Sequence, residues 1–320
     1  MECPKCQARV LSTARFCDQC GTNLADNVDF MHRKAVDLYH RGQIDEALAA
    51  WDRVLAGAPE FSKGHYYRGL ALYDRGDLGE AVEAFQQALV GEPEPFRVYF
   101  KLGMAQYGLG NLAGSATSFR KAHEINPGSA ETLYRLGLSY MRMSELAAAR
   151  AALEQAVAIN PKYTRALYIL GMVVAQQGDQ SEAIELFRRV EAVSPTYTAA
   201  RFELGMALFR QGQLVEAAEQ FASVEAVSPR FAPAPYMLGE CQRKLGSFGE
   251  AVAAYQRMLE LNPEDAEAWV RIAECQMQLD MLDAARAALD KALAINPQHT
   301  EANYLKKHLG QMATPHKPGF

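Results

Sequence analysis

No apolar run in this 320-residue chain approaches the ~20 residues that a helix needs to cross a bilayer. The opening residues, MECPKC, lack the apolar central region of a signal peptide. A cytoplasmic location is therefore expected. There is no glycine-rich phosphate loop of the Walker type and no G-x-S-x-G elbow. The seven histidines are scattered, and none falls in H-E-x-x-H. These absences leave no familiar catalytic constellation, so no enzyme is expected. Charge of one sign is also scarce. A net charge of -5 gives no electrostatic footprint for nucleic acid across the whole chain, so nucleic acid is an unlikely partner on this reading. Six cysteines fit reduced thiols and a metal site better than a disulfide framework.

What the sequence has instead is a period. Thr164 to Tyr197 reads TRALYILGMVVAQQGDQSEAIELFRRVEAVSPTY. One apolar-periodic run ends at Gly178-Asp179 and a second ends at Ser194-Pro195, which predicts two short amphipathic helices joined by a tight turn. Pro59, Pro93, Pro127, Pro161, Pro195, Pro229, Pro263 and Pro297 stand 34 residues apart without a slip. A fixed period of this length marks a stacked repeat array. Numbered from Val28, the eighth place of six units is Gly69, Gly103, Gly137, Gly171, Gly205 and Gly239, with Ala35 and Ala273 at the ends. The twentieth place is alanine except at Ser115. The twenty-fourth place is bulky throughout, from Trp51 and Phe85 to Tyr255 and Leu289. Small residues let paired helices come close, and the large one fills the space beside them.

Period and places together resemble the tetratricopeptide repeat family, over residues 28 to 299. The resemblance implies an all-α fold: a superhelical solenoid of eight helix-turn-helix repeats. The units would be 28–61, 62–95, 96–129, 130–163, 164–197, 198–231, 232–265 and 266–299. A capping helix is expected at 300–310 and a disordered tail at 311–320. Turn glycines recur at Gly42, Gly76, Gly110, Gly178, Gly212 and Gly246, with Ser144 and Asp280 in the fourth and eighth units. Pro233 and Pro235 should delay the start of the seventh unit's first helix.

Residues 1–24 are of another kind. Cys3 and Cys6, then Cys17 and Cys20, form two C-x2-C pairs, and four thiolates so spaced can surround one zinc ion tetrahedrally. Val10 and Phe16 are the expected apolar contacts of a small hairpin between the pairs. The stretch resembles short zinc-ribbon modules of bacterial and archaeal proteins. It departs from them at Gln7, where glycine is usual, which implies strain in the first knuckle. Iron in a rubredoxin-like site is the alternative metal. A redox dithiol would need a neighbouring βαβ pattern, which is missing. Such a segment has too little core to fold without its metal. Residues 25–27 are a short junction to the first repeat, with Asp26, Asn27 and Asp29 as candidate N-caps.

By helical spacing, places 2, 5, 9 and 12 of each first helix share a face away from the partner helix. In tetratricopeptide arrays that face lines the inside of the superhelix. Here it is unusually apolar through the sixth unit. The fifth place gives Tyr66, Phe100, Tyr134, Tyr168 and Phe202; the ninth gives Leu70, Met104, Leu138, Met172 and Met206; the twelfth gives Tyr73, Tyr107, Met141 and Phe209. Lys63, Arg97, Lys101, Arg135, Arg142 and Arg165 flank it, diluted by Glu131 and Asp74. Aromatics at the fifth place are expected to pack against the next unit. At the ninth and twelfth places packing and ligand contact are equally good readings. The pattern breaks at Glu240, Arg243 and Glu274.

The function expected from these features is a protein-interaction scaffold. Its groove would take a peptide or partner protein that carries apolar anchors and acidic groups. The family's carboxylate clamp is not carried over, because Val36 and Leu70 stand where the ninth place should supply asparagine. The ribbon would cap the array or add a second contact surface. A nucleic-acid-linked role for the ribbon, with Lys5, Arg9 and Arg15 nearby, is the runner-up; an envelope-biogenesis regulator and thiol redox chemistry follow. Oligomeric state is not legible.

Overall fold

The computed structural model of the chain describes residues 1–11, 14–91 and 95–312. Among the described residues every regular element is a helix, and the only strand-like features are two isolated antiparallel bridges, Glu2 with Arg9 and Phe16 with Asn23. The first helices of the repeats are α1 (Val28–His40), α3 (Ser62–Arg75), α5 (Phe96–Gly108), α7 (Ala130–Arg142), α9 (Thr164–Gln176), α11 (Thr198–Gln211), α13 (Pro233–Lys244) and α15 (Ala266–Gln278). Their partners are α2 (Ile44–Gly57), α4 (Leu78–Ala88), α6 (Leu112–Ile125), α8 (Leu146–Ile159), α10 (Gln180–Val193), α12 (Leu214–Val227), α14 (Phe248–Leu261) and α16 (Leu282–Ile295). A last helix, α17 (Thr300–Met312), runs two residues beyond the span expected for a cap. Residues 313–320, where a tail was expected, lie outside the described residues.

The chain divides into two compact units, Met1–Ala166 and Leu167–Phe320. In each, a first helix packs on its own partner, and the partner packs on the next first helix. That order buries a continuous apolar seam. In the N-terminal unit the seam includes Trp51, Leu72, Phe85 and Leu102. In the C-terminal unit it includes Tyr255, Ile272 and Leu289, and it ends on Ala302 and Leu309 of α17. Lys306, Lys307 and His308 of that helix stay exposed.

The eighth-place glycines sit against the twenty-fourth-place side chain of the same repeat. A Cβ on Gly69 would lie 2.7 Å from Phe85, and one on Gly239 would lie 2.7 Å from Tyr255. The close approach is thus chiefly of backbone to ring, not of backbone to backbone as the small-residue pattern alone implied. The turns behave as their residues demand. Six glycines take left-handed angles, and Ser144 and Asp280 are driven into the same region at φ 62° and 59°. Helix α13 begins at Pro233, one place late, with both prolines in its first turn.

The ribbon packs differently from the sequence expectation. Val10 is buried, but Phe16 is 58% exposed. Its place in the core is taken by Leu24 and by Phe30 of α1, both buried with Cys3 and Cys17. A hairpin this short has one interior side, and the first repeat helix already covers it. Asn27 is the N-cap that joins the two, accepting from the Phe30 N–H at 2.9 Å.

Candidate functional site

Each cysteine pair lies on a tight turn. The Gln7 N–H donates to the Cys3 carbonyl and the Gly21 N–H to the Cys17 carbonyl, both at 2.9 Å. These turns need left-handed angles at Gln7 (φ 60°) and Gly21 (φ 67°). Gly21 adopts them freely, whereas Gln7 does so against its Cβ. The four Sγ atoms lie within 4.8 Å of one another, with Cys3 to Cys20 at 3.6 Å and Cys6 to Cys17 at 3.5 Å. Four sulfurs at ~2.3 Å from a central zinc would be about 3.8 Å apart, so the set is close to the spacing a tetrathiolate metal needs. Backbone N–H groups favour the thiolate form, although at Cys6 the Ala8 N–H is outweighed by the Cys20 sulfur, burial and the Cys17 and Cys3 sulfurs, which push that thiol up to about 12. The Cys6 N–H holds Cys3 below the ordinary thiol value, and the Thr22 hydroxyl, 3.0 Å from Cys20, lowers that thiol to about 6. The other two cysteines differ. Cys241 and Cys275 are fully buried, and burial pushes them up to about 12 and 11, as unreactive core thiols.

The fifth-place rings are packing residues, but they pack on rings of their own repeat, whereas packing on the next unit was expected. Tyr66 meets Phe85, Phe100 meets Phe119, Tyr168 meets Phe187, and Phe202 meets Phe221, with centroids 5.4 to 6.2 Å apart. The last residue of the repeat adds a second ring in three places: Tyr134 on Tyr163, Tyr168 on Tyr197, and Phe202 on Phe231.

Places 9 and 12 do not form the open apolar surface that the helical wheel implies. Leu70, Met104, Leu138, Met172 and Met206 are half-buried, as are Tyr73, Tyr107, Met141 and Phe209. Neighbouring first helices stand close enough for the next repeat to cover each ring with a charge. The Arg142 guanidinium lies 4.8 Å from the Tyr107 ring centre and the Lys244 ammonium 5.1 Å from Phe209; Tyr39 donates a hydrogen bond to Asp74. In all three pairs the charged residue follows the ring by 35 positions. Glycine at the corresponding place, Gly108, leaves Tyr73 to Lys101, at 5.9 Å. Arg135 is paired with Glu131 at 2.7 Å. Arg97 and Arg165 are exposed. A small cavity lies on this face in the N-terminal unit, about 80 Å³, lined by Tyr73, Met104, Tyr107, Gly108, Phe119, Arg135 and Leu138.

In the C-terminal unit the charges that break the apolar pattern are mutually paired. Glu240 binds Arg243 at 2.9 Å and accepts from the Tyr255 hydroxyl at 2.6 Å. Arg271 reaches Glu274 at 2.8 Å, Glu301 at 3.3 Å and also Glu267, which His299 contacts at 3.2 Å. The change of character at Glu240 therefore has a packing cause of its own. Adjacent first helices there are joined by ion pairs instead of rings and methionines.

A larger cavity, about 840 Å³, was not legible in the sequence because it needs the ribbon. Glu2, Cys3, Pro4 and Gln7 form one wall. Asp29, His32 and Arg33 of α1, Lys63, Tyr66 and Tyr67 of α3, and Arg97 and Val98 of α5 form the rest. His32 Nδ1 accepts from the Trp51 indole N–H at 3.2 Å, which places the imidazole proton on Nε2. Burial, with Lys63 beside it, lowers His32 to about 4, so it is a neutral donor near pH 7. Arg33 donates to the Asp29 carbonyl at 3.3 Å. Among the described residues no carboxylate pairs with Arg33, Lys63 or Arg97.

Stacked helical hairpins with an N-terminal tetrathiolate knuckle define a repeat protein that carries a metal ribbon. The tetratricopeptide repeat models match residues 32–94, 74–130, 134–197, 174–238 and 242–309, and a zinc-ribbon domain model matches residues 3–24. The chain belongs to the tetratricopeptide repeat family. No curated protein matches it. Among solved structures, it is similar to the C-terminal part of a TPR repeat-containing protein from Cytophaga hutchinsonii. That match has a TM-score of 0.65 and 18% identity, and it covers 75% of this chain and 98% of the other. It is similar also to YrrB, described as a TPR protein with an unusual peptide-binding site, with a TM-score of 0.56 and 23% identity over 60% and 99% of the two chains. MamA protein matches with a TM-score of 0.52 and 25% identity over 55% and 96%. No described helix is long and apolar enough to cross a membrane.

Proposed function

We propose that this protein is a non-enzymatic interaction scaffold that takes an extended peptide, or a segment of a partner protein, on the shared face of its first helices. The observation that carries this reading is the cavity between α3, α5 and α7. It is lined by Tyr73, Met104, Tyr107 and Leu138, with Arg135 at its edge. An apolar pocket with a few polar groups around it is the usual form of an anchor site. Met104 adapts its shape to different anchors. The cations over Tyr73 and Tyr107 supply a basic rim, so the favoured ligand pairs apolar side chains with acidic ones. That YrrB carries a peptide-binding site is in keeping with this use of the fold. Leu70 and Met141 continue this face within the N-terminal unit, and Met172, Met206 and Phe209 hold the corresponding places of the C-terminal unit. The units run from residue 28 in steps of 34, after a ribbon at 1–24 whose metal is zinc, in the cytoplasm.

The test is a selection of randomised dodecapeptides displayed on phage against the full-length, zinc-loaded protein. Peptides so found should bind Met104→Glu at least tenfold more weakly, a loss of about 1.4 kcal/mol. Arg142→Glu should weaken binding less, and less still at high salt. The melting temperature of Met104→Glu should stay close to that of the parent. A library that yields no binder, or binders indifferent to Met104→Glu and Arg142→Glu alike, sinks the reading.

A further inference from the structure

The two cavities of the N-terminal unit share helix α5. Arg97 lines the large one beside the ribbon, and Met104 and Tyr107 line the small one. Seven to ten residues of helix separate them, which is about 10–15 Å at the helical rise of ~1.5 Å per residue. An extended peptide covers that distance in about three to four residues, at ~3.3 Å each. The two sites are thus spaced for side chains of one short peptide.

Their chemistry differs. The small cavity is apolar. The large one presents Arg33, Lys63 and Arg97 against Glu2 and Asp29, and adds the neutral His32 donor. The Cys3 sulfur on its ribbon wall is buried. Lys63 and Arg97 are exposed, and no described carboxylate holds them. A cation on a cavity wall that no described carboxylate holds favours an incoming carboxylate.

We propose that the cavity between the zinc knuckle and helices α1, α3 and α5 receives an aspartate or glutamate side chain of the same extended peptide whose apolar side chain occupies the Met104 cavity, three or four positions away. The inference rests on the peptide-binding reading above and gives it a register. It also gives the ribbon a task, as the wall that closes one end of the site.

The displayed library decides it. In that format the peptide's C-terminus is fused to the coat protein, so any acidic preference belongs to side chains. Selected peptides should carry Asp or Glu three or four positions from a Leu, Met, Phe or Tyr. Made as a free amide, such a peptide should lose at least tenfold in affinity when its acid is changed to the corresponding amide. The double variant Lys63→Glu/Arg97→Glu should lose as much toward the acidic peptide and little further toward its amide form, with an unchanged melting curve. Binders that depend on Met104 but have no acid at that spacing overturn the register and leave the scaffold reading intact. An acid-to-amide change that costs the same in parent and double variant places the acid elsewhere and also overturns it. Absence of any binder sinks both readings.

Discussion

Gly171 stands so close to Phe187 that a Cβ on the glycine would lie 2.7 Å from ring atom Cε1. Both are buried, on α9 and α10 of one repeat. Alanine normally favours a helix over glycine by about 1 kcal/mol. Here the added methyl must push the ring. Gly171→Ala should therefore destabilise the protein by about 1–2 kcal/mol despite the better helix former. At this pair of places the eighth repeat has Ala273 with Leu289, the first Ala35 with Trp51 and the fourth Gly137 with Leu153. Adding Phe187→Leu to Gly171→Ala should recover part of the loss, although Phe187→Leu alone leaves space and costs ~1 kcal/mol or more. Denaturant melts of the four proteins close the cycle, and strictly additive losses would show that the contact does not set the glycine.

Phe30 connects the metal centre to the repeats. It is 1% exposed and packs with Cys3, Val10, Cys17 and Leu24. The protein should hold one zinc per chain by elemental analysis. Phe30→Ala, which changes no ligand, should speed zinc loss to a chelator, because the knuckles lose part of the core that orders them. Cys17→Ser should abolish zinc binding and raise amide exchange in residues 1–24 and the first turns of α1, while the helical signal of the remaining repeats persists. Iron in place of zinc, or loss of the whole helical signal, would count against this picture.

Glu240 carries a pH dependence. Burial works to raise its carboxyl, but the Arg243 guanidinium and the Tyr255 hydroxyl outweigh it and hold the group below its ordinary 4.5. A carboxyl lowered by folding stabilises the native state above the unfolded value, and that contribution disappears as pH falls through the folded value. The parent should therefore lose stability relative to Glu240→Gln as pH drops below about 4.5, while above it their difference stays constant. Melting curves of both proteins from pH 7 to 3 measure this. A difference that is flat throughout would show that the Glu240 pair adds nothing beyond shape.

The sequence by itself determined the repeat, its helices and its cysteine knuckle, because each depends on local spacing. A 34-residue period with proline, glycine, alanine and a large side chain at fixed places leaves one way to stack, and two C-x2-C pairs bring their sulfurs together through turns of a few residues. The left-handed positions at Ser144, Asp280 and Gln7 follow from the same local arithmetic. Tertiary structure decided what the first-helix face offers a ligand. Whether Tyr107 is open or covered depends on Arg142, 35 residues later, and on the distance between neighbouring helices. The same distance lets Arg271 of α15 reach Glu240 of α13 and Glu301 of α17. It was also the fold that turned Phe16 outward, filled the ribbon core with Leu24 and Phe30, and set the cysteine knuckle beside Lys63 and Arg97. A helical wheel shows which residues share a face. It does not show which atoms of the next helix, or of a separate module, lie across from them.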